Sequence, residues 1–273
     1  HDKFEIITFE GSFHGRSSAG IAATASEKMT KGFGPLLPGF LSINWNNHEA
    51  IKNSISDRTA AILLEPIQGE GGIRVVPEQC LKGIREFCDE NKILLILDEV
   101  QCGVGRTGKL FAHEWAEIEP DIMMVAKGIG GGFPLGAVLA KDDAASGMTT
   151  GTHGSTFGGN PLGCSVGLKV MDIISNPNFL LDVNHKAKNF RAGLLELLNK
   201  NTSIFEEVRG KGLMLGLKCK VQNIDVVNAG YSNKLLTVPA GDNVVRLLPP
   251  LTISDKEIKQ ALEKLDCVMT ELS

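Results

Sequence analysis

The sequence predicts an α/β fold: a large unit on a mostly parallel sheet, followed by a smaller α+β unit. Three observations carry that reading. Ile93–Asp98 and Asp121–Lys127 are apolar runs without alternation, the pattern of parallel strands covered on both faces. Apolar strands take turns with amphipathic helices through the first part of the chain, as right-handed crossovers require. From about residue 177 the composition shifts to a long amphipathic helix and then a meander of short strands. The division therefore falls at residues 1–176 and 177–273.

Composition narrows the function classes. The 273 residues are 42% hydrophobic and 22% charged, ordinary for a globular protein. A net charge of −4 without a basic run argues against nucleic acid and anionic membranes as partners. No apolar stretch approaches the roughly 18 residues of a membrane-spanning helix. Six cysteines without a CxxC pair suit reduced thiols in a cytoplasmic protein better than disulfides or a zinc site. His48-Glu49 and His113-Glu114 lack the second histidine of a zinc-protease helix, so no metal is expected. The chain starts at His1-Asp-Lys without methionine and runs almost at once into a strand, which reads as a cut inside a domain with no signal peptide.

In chain order, Glu5–Glu10 reads as the first strand, Gly11–Arg16 as a loop and residues 46–56 as a short helix. Ala60–Glu65 is a strand that ends in a charge and opens into the glycine-rich stretch 65–72. Pro77 starts a helix with Leu81, Ile84, Phe87 and Cys88 on one face. The Asp98 strand, the Lys127 strand and Leu135–Ala140 follow. Thr152–Pro161 is a polar, glycine-rich loop before a helix that begins near Asn160. Leu180, Val183, Ala187, Phe190, Leu194, Leu197 and Leu198 mark the long helix, and Leu213–Cys219, Leu235–Val238 and Val244–Leu248 the later strands. Ser254 and Glu257 form a capping box for a last helix with Ile258, Leu262, Leu265, Val268 and Leu272 inward.

Ligands of open α/β sheets bind outside the carboxyl ends of the strands. Adjacent strands ending at Asp98 and Lys127 would put an acid and an amine on one rim. Pyridoxal phosphate (PLP) needs that pair, a lysine for its Schiff base and an acid for its pyridinium nitrogen. Taken singly, the same two residues read as a solvated strand-end lysine and a turn or cap aspartate. Gly128 and Gly130 have dinucleotide spacing, but Phe133 stands where the third glycine belongs, which weakens a nucleotide-binding oxidoreductase. Phe13 and Arg16 read either as a stacking ring with a carboxylate fork or as a surface turn. The 152–161 loop is either a phosphate site at a helix start or a plain loop with an Asn cap. Arg246 is either an edge-strand arginine facing water or an inward one that binds an acid.

Six motifs occur in one order: Phe13–Arg16, Glu65–Gly72, Leu97–Gly108, Ala126–Gly132, His153–Pro161 and Val245–Pro250. Together they resemble the class III (ω-amino acid) aminotransferases of PLP fold type I, along essentially the whole chain. Gly69-Glu-Gly-Gly-Ile-Arg74 and Ala240–Pro250 lean toward the bacterial acetylornithine branch. The resemblance implies that Lys127 holds PLP and moves the proton between the substrate carbon and the cofactor's C4′. It implies that Asp98 pairs with the pyridine nitrogen, that Val100 and Phe13 cover the two ring faces, and that Gln101 bonds the phenolic oxygen. Thr156 would reach the phosphate of the neighbouring subunit's cofactor, making the protein a homodimer with shared sites. Arg16 would bind the substrate α-carboxylate, while Glu70 and Arg246 would form a pair that opens for glutamate, with Glu65 a supporting acid nearby.

The implied reaction moves the δ-amine of N2-acetylornithine to 2-oxoglutarate, giving N-acetylglutamate 5-semialdehyde and glutamate, a step of arginine biosynthesis. Succinyl-diaminopimelate, succinylornithine or another ω-amino acid is the alternative substrate, and a catalytically incompetent fragment the alternative product of the gene. The family's Ser-Gly-x-Glu-Ala phosphate motif lies upstream of the Phe-His-Gly-Arg loop and is absent here, so the family's N-terminal segment is expected to be missing.

Overall fold

The computed structural model of the chain describes residues 3–24, 26–45, 47–200 and 202–273; the expected break at His1 lies outside them. β1 (Glu5–Phe9) leads through α1 (Ser18–Ala23) and α2 (Glu27–Thr30) to β2 (Phe40–Ile43), α3 (His48–Ser54) and β3 (Thr59–Leu64). A small hairpin, β4 (Ile67–Gln68) with β5 (Arg74–Val75), and α4 (Glu78–Asn91) precede β6 (Leu94–Asp98). β7 (Ile122–Val125), β8 (Ala137–Ala140), α5 (Asp142–Ala145) and α6 (Pro161–Ile174) complete the first part. The second part is α7 (Pro177–Lys200), β9 (Phe205–Lys211), β10 (Met214–Cys219), α8 (Asn223–Ser232), β11 (Val238–Ala240), β12 (Val244–Leu247) and α9 (Asp255–Leu272).

The first sheet has the order β2-β1-β3-β6-β7-β8 and is parallel up to β7. The apolar runs predicted this, because strands buried on both faces have no solvent side to alternate with. Ile62 and Leu64 of β3 and Leu95 and Leu97 of β6 are almost wholly buried. Against them pack Leu81, Ile84 and Cys88 of α4, on the face the sequence assigns. Leu135–Ala140 departs from that pattern. Its strand, β8, is antiparallel to β7 and exposed along its length. The strand expected to end at Lys127 stops at Val125, and Lys127 opens a 3-10 turn over Lys127–Gly130. The helix expected over 46–56 is α3, with Asn46 outside the described residues.

The second sheet, β11-β12-β10-β9, is antiparallel throughout. α7, α8 and α9 cover it, and Phe190, Leu194, Leu215, Val245, Leu265 and Val268 meet in its core. Burying each such side chain contributes about 1.5–3 kcal/mol. α9 begins as expected, with Ser254 and Glu257 in a reciprocal capping box. The strand expected at 235–238 forms only from Val238 on, since Leu235 instead closes the turn after α8 with its N–H on Gly230.

Gly210 marks a tight point of β9. Its φ is +106°, and a Cβ there would stand 1.9 Å from the Met214 carbonyl oxygen. Gly210→Ala is therefore expected to cost about 2–4 kcal/mol of stability, from strain plus a backbone clash. Urea unfolding checks this, and an unchanged midpoint refutes it.

Two features join the sheets. Ile67, Ile73 and Cys102 from the first part pack with Met214 and Val244 from the second. Arg106 donates to Leu213 O at 3.2 Å and Pro249 O at 2.5 Å, and burial lowers its pKa to about 10. These ties hold the C-terminal strands over the rim of the parallel sheet.

Candidate active site

β6 and β7 are neighbouring parallel strands, with Asp98 opposite Met124. The rim therefore carries Asp98, and three residues beyond its partner the chain presents Lys127. Asp98 is 5% exposed. Its Oδ1 accepts the Val100 N–H at 3.0 Å, and its Oδ2 lies 2.9 Å from Nδ1 of His14. The His14 side chain is 2% exposed, and its Nε2 is buried without a hydrogen-bond partner among the described residues. A histidine nitrogen facing a carboxylate is the one that carries a proton, so Nδ1–H donates to Asp98.

Lys127 is exposed, and no ion pair engages it among the described residues. Its φ of +45° is a left-handed conformation that a side-chain-bearing residue adopts at a cost. Lys127, Val100 and Gln101 share the wall of a cavity of about 460 Å³, with Arg106, Leu248 and Pro250 opposite.

Arg246 settles the choice left by the sequence. β12 is an interior strand, and Arg246 is 6% exposed and turned inward. Its guanidinium grips Glu70 in two-toothed fashion, Nη1 to Oε1 at 2.5 Å and Nη2 to Oε2 at 3.2 Å. Nη1 also reaches Gln101 Oε1 at 3.2 Å. Gln101 is held close to the backbone of the 65–72 loop, since a Cβ on Gly69 would come within 2.1 Å of its Oε1. That acceptor faces Arg246 here.

Phe13 follows β1, and the Arg16 guanidinium lies over its ring at 5.4 Å. Phe13 and Glu70 line a second cavity of about 510 Å³. The structure thus joins Asp98 to Val100 and to His14 of the Phe13–Arg16 loop, and Glu70 through Arg246 to Gln101, which shares a cavity wall with Val100 and Lys127; Arg16 is exposed. Thr156 stays apart, on an exposed loop ahead of α6, where Asn160 caps the helix by accepting the Gly163 N–H. His113 is bound to buried Glu99 at 3.0 Å, a structural pairing that gives the His-Glu motif a bland role. Sequence reading did not single out His14. Its place inside the Phe13–Arg16 motif was the one signal for it, and nothing in local spacing tells that it meets Asp98 across 84 residues.

Among the described residues no group of histidine, cysteine and acidic side chains could hold a metal ion, and no helix is long and apolar enough to cross a membrane. The family profile described as "Aminotransferase class-III" matches residues 1–269. The chain is 61% identical over 271 residues to the acetylornithine aminotransferase of Rhodobacter capsulatus, covering 99% of this chain and 69% of that protein. It is 52% identical over 272 residues to the acetylornithine aminotransferase of Brucella melitensis, covering 100% and 68%. Among solved structures, the ornithine aminotransferase of Toxoplasma gondii superposes with a TM-score of 0.93 at 32% identity, over 99% of this chain and 66% of that one. The N-acetylornithine aminotransferase of Stenotrophomonas maltophilia gives 0.83 at 35%, over 99% and 67%. The chain thus spans about two thirds of the length of these relatives. The α/β architecture is that of the PLP-dependent transferases of fold type I.

Proposed function

Since the chain belongs to the class III aminotransferases, we propose that it moves the δ-amine of N2-acetylornithine to 2-oxoglutarate, giving N-acetylglutamate 5-semialdehyde and glutamate. The family works with pyridoxal 5′-phosphate, and the residues present fit that cofactor. A buried carboxylate, Asp98, has both oxygens in hydrogen bonds yet keeps further lone pairs for a pyridinium N–H. An amine without an ion-pair partner among the described residues, Lys127, stands on the neighbouring strand's continuation. When bound, the cofactor supplies an electron sink for negative charge at the reacting carbon.

The chain's own residues do the rest. Lys127 would hold the cofactor through its amine, and the same amine would move a proton at the substrate's reacting carbon. Asp98 would take the pyridinium N–H. Phe13 and Val100 would flank the ring, and Gln101 would hydrogen-bond its phenolic oxygen. Arg16 takes the α-carboxylate of acetylornithine. The Glu70–Arg246 pair remains closed in that half-reaction, then opens so that Arg246 takes the α-carboxylate of glutamate. Without Glu70, a buried guanidinium would stand uncompensated between half-reactions at a cost of about 3–5 kcal/mol.

Thr156, exposed on the loop ahead of α6, fits a role at the cofactor phosphate of a second subunit in a homodimer. We read residues 1–176 as the cofactor-binding large domain and 177–273 as the small domain, a division supported by two separate sheets with their own cores. Six free cysteines support a cytoplasmic location.

The observation that carries this reading is the Asp98–Lys127 pair on one rim of a chain that matches the family over nearly its whole length. A visible absorption spectrum tests it. Added PLP is expected to give a band absent from the free cofactor, and acetylornithine and glutamate are each expected to bleach it. Bleaching by succinylornithine or succinyl-diaminopimelate at lower concentration than acetylornithine would move the assignment to that substrate. No band and no turnover in the whole protein would refute it.

A further inference from the structure

One buried acid has no task in the scheme above. Glu65 follows β3, and Leu64 pairs with Leu97 of β6, so Glu65 and Asp98 stand side by side at the strand ends. Glu65 is 5% exposed. Its two oxygens serve two different loops. Oε1 accepts the Phe13 N–H at 2.9 Å, and Oε2 accepts the Gly69 N–H at 3.1 Å. The first loop carries Phe13, His14 and Arg16, and the second carries Glu70. Arg16, proposed to meet a substrate carboxylate, and Glu70, proposed to gate Arg246, therefore both hang from loops that Glu65 holds. Arg246 in turn is gripped by Glu70.

The surroundings make this carboxyl sensitive. Facing it are His14 from the first loop, Asp98 at the end of β6 and the Cys102 thiol beyond it. Burial raises the Glu65 pKa from 4.5 to about 7, opposed by His14, assisted by Asp98, and opposed by the two N–H donors.

We propose that Glu65 is a positioning residue: one carboxyl group holds the Phe13–Arg16 loop and the Glu70 loop in fixed relation, and its charge sets how firmly the substrate-carboxylate subsites are held. This rests on the reading that Arg16 and Arg246 receive substrate carboxylates and that Glu70 gates Arg246. As the pH falls through about 7 the folded protein protonates Glu65, and the two charge-assisted hydrogen bonds weaken to neutral ones. The subsites are firm above that pH and loose below it. The KM for glutamate accordingly rises as pH falls through this range.

Glu65→Gln tests the idea. The amide keeps the size but can accept only one of the two N–H groups. In the whole, PLP-loaded protein the KM for glutamate is expected to rise about tenfold, the scale of one lost charged hydrogen bond. The kcat is expected to stay within about threefold, and the variation of KM around neutral pH to vanish. A second readout needs neither substrate nor cofactor. With ¹⁵N-phenylalanine in the 273-residue chain, the Phe13 amide resonance is expected to shift with a midpoint near pH 7 in the parent protein and not in Glu65→Gln. A Phe13 amide that does not titrate, or a Glu65→Gln enzyme with unchanged KM, overturns the proposal. Should Glu65→Gln fail to fold, Glu65→Asp decides: it keeps the charge but is one methylene short of spanning both loops, and an unchanged KM overturns it equally. If the parent protein gives no band with PLP, the aminotransferase reading fails, and the Phe13 titration alone still decides whether Glu65 ties the loops.

Discussion

Lys127→Ala is expected to leave a folded protein that no longer transaminates. The side chain is exposed and has no ion pair among the described residues, and alanine meets the same backbone strain at φ +45° that lysine does. Its loss is expected to change stability by less than about 0.5 kcal/mol, as surface substitutions do. Activity falls for two separate reasons. On the proposed reading, the amine that would hold the cofactor is gone, and so is the group that would move the proton at the substrate carbon. General acid–base catalysis alone contributes about 10²–10⁴-fold, so turnover of acetylornithine with 2-oxoglutarate is expected to drop by at least about 10³-fold. Semialdehyde formation followed beside a thermal melt checks both halves. A variant with parental turnover would remove Lys127 from the chemistry altogether.

Asp98→Asn comes next in size. The side chain keeps its shape in a site that is 5% exposed, but it loses the charge that favours a proton on the pyridine nitrogen. One of its two present partners is also wronged. Val100 N–H and His14 Nδ1–H both donate toward Asp98, and an amide NH₂ cannot accept from either. Removing a preorganised charge of this kind costs about 10²–10³-fold in kcat. PLP affinity is expected to weaken by about tenfold, in line with one lost charge-assisted hydrogen bond. Stopped turnover with PLP in excess separates the two effects, and a kcat within about threefold of the parent would mean the ring nitrogen needs no acid here.

The places where sequence reading succeeded and failed share a physical cause. The buried strands β3, β6 and β7 were legible because burial on both faces writes a continuous apolar run, and β12 because its Arg246 interrupts one. β9 was not. Its Phe205-Glu-Glu-Val-Arg-Gly-Lys211 alternates charges on an edge strand, and its pairing with β10 is supplied by the fold rather than by the local pattern. β2 is four residues of mixed burial at one edge of the first sheet, too short for any period to show. α1 is a six-residue helix of mostly small residues, and α8 a ten-residue one that buries only Val226, Val227, Ala229 and Gly230. β8 reads as a buried strand but lies exposed and antiparallel, because direction is set by the turn after Gly132 and not by hydrophobicity. At the site, the strand-end acid and amine were visible one strand at a time. The Glu70–Arg246 fork came from motif likeness, since the two are separated by 176 residues. The His14–Asp98 contact and the double tie of Glu65 have no signature in the sequence, because each joins a loop to a strand end that is neighbouring only in the folded chain.

The left-handed backbone at Lys127 bears on how this protein can evolve. A residue with a side chain gives up about 1 kcal/mol there, and glycine gives up essentially none. Selection for a stable fold and selection for amine chemistry therefore pull position 127 in opposite directions. A gene copy released from its metabolic duty would find Lys127→Gly among its easiest gains in stability, and with that single exchange the route back to catalysis would run uphill. On the role proposed for Lys127, the strained lysine works as a ratchet: it persists only while the reaction is needed, and its loss is rewarded once the reaction is not.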